Sequence, residues 1–182
     1  QEVAYDGPHK PGTIIIDTPQ RFLFLVQPGG RAMRYGIGVG RPGFSWAGMK
    51  TVSRKAEWPA WTPPPEMLKR RPDLPRFMPG GPENPMGARA MYLYRGGRDS
   101  MFRIHGTIQN ETIGHATSAG CIRLFNQDAI DLYDRIDLGT RVKVRSLDES
   151  LAIEGPYMDD AWGRAVPETP ENIAQKPLDE QM

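Results

Sequence analysis

The sequence holds one cysteine and three histidines, and two of these four residues are placed to act together. Cys121 follows Ser118-Ala119-Gly120, a run of small residues. Small residues leave backbone amides accessible and let a planar acyl group come close. A lone cysteine is commonly just a small buried hydrophobe. It becomes a nucleophile when a base and local amides support the thiolate. His105 closes the apolar run Met101–His105 and is followed by Gly106. A strand end is a rigid mount for a general base. His105 with Cys121 makes a thiol–imidazole pair of the acyl-transfer kind. The imidazole takes the thiol proton and later returns one to the leaving amine. The Gly106 carbonyl could fix the imidazole tautomer, since no aspartate stands at an orienting position. Amides near Gly120 and Cys121 could hold an oxyanion.

Three neighbours are open to two readings. Arg123 shares a face with Cys121 under strand-like alternation. It could clamp a substrate carboxylate, or form an ion pair with Asp128 or Asp131. His115, six residues before the thiol, could be a second catalytic group, a partner that steadies the loop, or exposed. Trp58 and Trp61 could pack the fold or line a sugar or peptide groove. His9 lies in a lead-in and reads as solvated.

Other chemistries find little support. No ligand-type residues recur at zinc spacing. Gly38–Gly43 lacks the Lys-Ser/Thr ending of a phosphate loop. Arg70, Arg71 and Arg76 are interspersed with proline rather than base-stacking aromatics, which argues against nucleic acid. Net charge is only +1. It divides unevenly: residues 1–147 carry 21 Lys or Arg against 13 Asp or Glu, and residues 148–182 carry 2 against 9. The basic body could attract an anion. No run of apolar residues is long enough for a membrane-spanning helix.

The elements that must position this chemistry are mostly strands. Residues 1–12 read as an extended lead-in. Strands are expected at 13–17, 21–26, 32–39, 51–55, 88–94, 101–105 and 141–144, with glycines in the third marking a bulge or a close backbone approach. Residues 56–87 hold nine of the 18 prolines. They read as an ordered surface insertion, a flap over a cleft, or both, with one helical turn near Pro64–Leu68. One clear helix follows the reactive loop, with Asn126 as its N-cap, Ala129, Leu132, Tyr133 and Ile136 on its apolar face, and Gly139 at C′. The acidic residues 148–182 read as a tail with partial order at most, on which Trp162 could dock against the body. The body, 13–147, is expected to be one mainly β domain.

The segment Ile104-His105-Gly106-Thr107, then Ile113-Gly114, then Ser118-Ala119-Gly120-Cys121-Ile122-Arg123-Leu124 resembles the signature of the L,D-transpeptidase catalytic domain, the YkuD-like family. The resemblance covers about residues 12–146, and the separation of His105 from Cys121 is similar to the family's. It implies a β-sandwich-like catalytic domain, with Cys121 as nucleophile and His105 as base. By the same resemblance Gly106, Ser118, Gly120 and Arg123 match substrate and oxyanion positions. It implies an enzyme that forms a thioester at diaminopimelate of a peptidoglycan tetrapeptide, releases D-alanine, and passes the acyl group to another stem's amine as a 3–3 cross-link. Attachment to an outer-membrane protein's amine, hydrolysis, and a wall-binding module without catalysis are the alternatives. Carbapenem acylation of the cysteine is a family property, and no cofactor is called for. The proline-rich stretch is similar to an insertion in a periplasmic, alphaproteobacterial-type subgroup. A chain that opens at Gln1 fits an exported protein whose leader has been removed, or a trimmed chain. A single cysteine suits an oxidising compartment. One position departs: Ala119 stands where many members carry histidine, and His115 could supply part of what is missing.

Overall fold

The computed structural model describes residues 1–41, 46–118 and 120–182. Ala119 and part of the Gly38–Gly43 motif lie outside the described residues.

The chain opens with β1 (Glu2–Ala4), so the expected lead-in contributes a strand, paired antiparallel with residues 31–33. The β-branched run of β2 (Ile14–Asp17) is wholly buried. It forms a hairpin with β3 (Phe22–Gln27), which in turn pairs with β4 (Arg31–Gly36). The third expected strand is divided. β4 stops at Gly36, and the two-residue β5 (Val39–Gly40) pairs with a different segment. The break lets Gly38 approach the backbone at Thr112, whose carbonyl would lie 2.7 Å from any added Cβ.

Next come β6 (Gly48–Glu57), the short α1 (Pro65–Arg70), β7 (Arg89–Arg95) and β8 (Arg98–His105). After these follow β9 (Ala116–Ser118), β10 (Ile122–Arg123), α2 (Asn126–Arg135) and β11 (Arg141–Val144). Nine strands make one sheet in the order β1-β4-β3-β2-β11-β6-β7-β8-β10. Its far edge, β10, exchanges two hydrogen bonds with Gly38: Gly38 N–H to Arg123 O at 2.9 Å and Arg123 N–H to Gly38 O at 3.0 Å. The chain just past β4 therefore meets β10, and the sheet curls around one core. Alternate residues face inward: Ile14, Leu23, Val52, Leu93, Ile104 and Ile122 are essentially inaccessible. Each such side chain contributes about 1.5–3 kcal/mol of burial free energy.

The apolar face expected for α2 is present, with Ala129, Leu132 and Ile136 buried and Tyr133 packed against the core. Its ends differ from expectation. Phe125 holds the N-cap position and Asn126 begins the helix, because the Asn126 side chain is used elsewhere. The helix ends at Arg135, and Gly139 (φ 92°) instead serves the following turn into β11.

The chain has four α-helices among the described residues, not one, and the acidic end is ordered. It contains α3 (Leu147–Glu154), the hairpin β12 (Tyr157–Asp159)–β13 (Ala165–Pro167), and α4 (Pro170–Asp179). Local signals explain this. Ser146 and Glu149 form a reciprocal capping box on α3, and Thr169 caps α4 ahead of Pro170 at its first position. The buried Asp17 fastens α3 through Arg145 (3.1 Å) and Ser150 (2.9 Å). Arg21 fastens the hairpin through Asp159 (2.6 Å) and the Gly163 carbonyl (2.8 Å). Trp162 does not dock; it is 53% exposed. No helix among the described residues is long and apolar enough to cross a membrane.

Candidate active site

β8 and β10 are parallel neighbours, with Ile104 opposite Ile122 and His105 opposite Arg123. The two isoleucines point into the core. Alternation therefore turns Arg103, His105, Cys121 and Arg123 to the other face. Cys121, just ahead of β10, lies level with Arg103 and one diagonal step from His105. It opens onto a cavity of about 420 Å³. Arg54, Tyr92, Met101 and Arg103 of the sheet line one part of it, and Trp61, Thr62–Pro65 and Met86 of the proline-rich segment line another. The thiol is largely enclosed, yet the residue keeps some accessible surface.

His105 is buried, and its Nδ1 bonds the Gly106 carbonyl. A carbonyl only accepts, so the proton sits on Nδ1 and the Nε2 lone pair is left for a proton from elsewhere. Burial pulls the imidazole pKa down to about 4; the Gly106 and Met86 carbonyls oppose the shift, and the charges of Arg123 and Arg103 reinforce it. Burial pushes the Cys121 thiol up, opposed by the Arg103 main chain and the charges of Arg103 and Arg123. At neutral pH the thiol and the imidazole are both uncharged, and they stand one diagonal step apart on the same face. Such a pair serves acyl transfer by moving the proton as the carbon–sulfur bond forms.

The turn before Cys121 is tied at both ends. Ser118 Oγ–H donates to the Cys121 carbonyl at 2.7 Å, and Gly120 N–H donates to Ser118 Oγ at 3.2 Å. Gly120 has φ 116°, a conformation that suits glycine. The Trp46 indole N–H donates to the Gly120 carbonyl at 2.9 Å. Because a trans peptide opposes its C=O and N–H, this contact turns the Cys121 N–H to the other side. An amide so held is suited to an oxyanion.

Gly106 is needed for close packing. A Cβ there would lie 2.2 Å from Asn126 Oδ1. That oxygen accepts the Ala88 N–H at 2.9 Å, so Asn126 joins α2 to the end of the proline-rich segment. Arg123 is half-buried and bonds the Gln109 side chain at 3.3 Å. The alternative ion pairs are not formed: Asp131 bonds Tyr35 and Arg135, and no bond joins Asp128 to Arg123 among the described residues. His115 packs its ring against Gly163 in the β12–β13 hairpin and is not among the cavity residues. Trp61 lines the cavity, while Trp58 is 44% exposed and does not.

Sequence reasoning missed Arg103, Tyr92, Arg54, Trp46 and Asn126. Arg103 alone was legible, since it lies two residues before His105 on the same strand. The others depend on cross-strand register or on long-range contacts.

The L,D-transpeptidase catalytic domain model, YkuD, matches residues 11–144. The chain is 39% identical to the Probable L,D-transpeptidase ErfK/SrfK of Escherichia coli K12, over 72% of this chain and 43% of that protein. It thus spans under half the length of that relative. A crystal structure from Brucella melitensis, described as a probable carnitine operon oxidoreductase, is 50% identical, with TM-score 0.55, over 81% of this chain and 92% of that chain. The fold is also similar to an Enterococcus faecium L,D-transpeptidase variant, at 19% identity and TM-score 0.56, over 75% of this chain and 50% of that one. With a family match that spans most of its length, the chain belongs to the L,D-transpeptidase catalytic domain family.

Proposed function

We propose that this domain is an active L,D-transpeptidase that acylates Cys121 with a peptidoglycan stem peptide and hands the acyl group to an amine. The observation that carries this reading is the shared outer face of β8 and β10. It carries Cys121 at the mouth of a cavity and, one diagonal step away, a buried, Nδ1-protonated His105, both inside the matched family region. His105 Nε2 takes the thiol proton as sulfur attacks the carbonyl of diaminopimelate. The same nitrogen returns the proton to the departing D-alanine amine as the carbon–nitrogen bond breaks. The thioester is then attacked by the side-chain amine of a second stem, giving a 3–3 cross-link and the free thiol. The Cys121 amide holds the oxyanion in both steps, and Ser118, Gly120 and Gly106 hold the backbone that carries it. Residues 56–87 act as an insertion that covers the site and limits water as a competing acceptor.

A periplasmic site of action fits this substrate. The Brucella chain's oxidoreductase description points to a different reaction; the match over residues 11–144 favours acyl transfer. Mass spectrometry of muropeptides after incubation with disaccharide tetrapeptide tests the choice. Loss of D-alanine and a 3–3 dimer are expected. Addition of an outer-membrane protein N-terminal peptide reports protein attachment, and a monomeric tripeptide reports hydrolysis. Binding to peptidoglycan with no turnover would leave only a wall-binding module.

A further inference from the structure

Three side chains form a row across the sheet that ends at the nucleophile. Arg54 on β6 is opposite Tyr92 on β7, and Tyr92 is opposite Arg103 on β8. Arg103 is level with Cys121, and all four residues line the same cavity. The Arg54 and Arg103 guanidiniums each lie 4.5 Å from the Tyr92 ring centroid. Stacking on a ring uses the flat face of a guanidinium and leaves its N–H edges free for a forked contact.

The two arginines differ in how those edges are used. Arg103 spends two N–H groups on Asp99, at 2.6 and 3.0 Å, and its side chain is only 14% exposed. Arg54 is exposed and forms no ion pair among the described residues. Its charge still reaches Asp99, whose carboxyl is held below the usual range first by Arg103 and also by Arg54. The row therefore carries two cations and one carboxylate. The unmatched charge sits on Arg54, held in place by an aromatic face.

Resting on the acyl-transfer reading, we propose that Arg54, backed by Tyr92 and Arg103, is a binding site for a carboxylate of the donor stem and sets the preference for a donor that carries it. Two of the donor's carboxylates flank the attacked carbonyl: the one at the far end of the diaminopimelate side chain and the C-terminal one of the leaving residue. Reach favours the first. Three strand spacings of about 4.8 Å separate the main chains of Arg54 and Cys121. A carboxylate at the end of a long side chain spans that gap better than one next to the scissile bond.

The test compares release of the leaving residue from three tetrapeptide donors: unmodified, amidated at the distal carboxylate, and amidated at the C-terminus. In the wild type, distal amidation should lower kcat/KM by about tenfold. Arg54→Ala should lower it by the same factor for the unmodified donor, mainly through KM, and leave the distal amide unchanged. Arg54→Lys, which keeps the charge and loses the fork, should fall between them. An equal loss with every donor, or no loss with any, overturns the proposal. A loss that tracks the C-terminal amide overturns the assignment to the distal group. If the wild type releases nothing from any donor, the acyl-transfer reading fails, and alkylation of the single thiol judges the site by itself. Arg54→Ala should lower the rate with iodoacetate about threefold relative to iodoacetamide; an unchanged ratio overturns the site.

Discussion

Two regions meet at Cys121, and they are built by different means. One is the sheet that carries the nucleophile. β8 and β10 stand on fully buried Ile104 and Ile122 and are locked to their neighbours by backbone ladders. The other is the proline-rich segment between β6 and β7, part of which lines the same cavity. Its helix α1 buries no residue, and its main backbone tie is the reciprocal pair between Trp61 and Met78. Two asparagines hold the rest. Asn84, nearly inaccessible, bonds the Met78 and Pro79 carbonyls and accepts the Met86 N–H, and Asn126 accepts the Ala88 N–H. The chemistry thus stands on laddered strands over buried apolar side chains, whereas the proline-rich segment depends on a few side-chain pins. Substitutions in the first region should act on the bond-making step or on folding, and those in the second on which acceptor reaches the thioester.

The largest effect should come from the proposed nucleophile, Cys121, and its proposed base, His105. Cys121→Ala should remove turnover, a loss of at least about 10³-fold, and His105→Ala should cost about 10²–10⁴-fold in kcat, read by D-alanine release. The imidazole also sets the acid limit. Its pKa is pulled down to about 4, so it stays a free base as pH falls past the ordinary histidine value of 6.5. The acid limb of kcat/KM assigned to this group should lie near 4.

The same shift acts on stability. The unfolded chain takes up the His105 proton near pH 6.5 and the folded chain only near 4. Between those values the unfolded state binds more protons, so stability falls as pH falls, by up to about 3 kcal/mol from this group. Thermal melts of wild type and His105→Gln should therefore converge as the pH is lowered from 7 to 4, in the sense that the wild type loses more.

The pins give the next test. Asn126→Ala strips the partner from the Ala88 amide at the junction of both regions, and a loss of about 1–3 kcal/mol is expected in denaturant melts. Asn84→Ala leaves the Met86 amide without its partner inside the proline-rich segment. It should change global stability less and raise the share of hydrolysed product over cross-linked product. Equal effects of the two on melting and on product partition would break the distinction between the laddered strands and the proline-rich segment. The smallest effect belongs to Trp46→Phe, which keeps the ring and loses the indole bond to the Gly120 carbonyl. A fall in kcat of about tenfold or less, with KM unchanged, is expected from slackened control of the Cys121 amide.

How far the sequence disclosed this arrangement follows the same division. The strand that ends on His105, the strands at β2 and β3 and the apolar face of α2 were legible because each is a periodic pattern within one element. The motif from Ser118 to Arg123 was legible because the bonds from Ser118 and Gly120 that hold the nucleophile are local in the chain. Arg54 and Tyr92 were not, because their meeting depends on register between β6 and β7, which is irregular between Val52 and Arg54. Asn126 reads as a helix cap in sequence, yet its oxygen is taken by an amide 38 residues away. The acidic end misled through composition. Its capping box and its buried anchor on Asp17 outweigh the excess of charge.

The central claim is that the Cys121 sulfur itself carries the acyl group. Intact-protein mass spectrometry during turnover of a tetrapeptide donor, followed by peptide mapping, tests it most directly. A transient adduct with the mass of the donor less D-alanine is expected, confined to the peptide that contains Cys121 and absent from Cys121→Ala. Continued release of D-alanine by that variant, or an adduct on another residue, would contradict it.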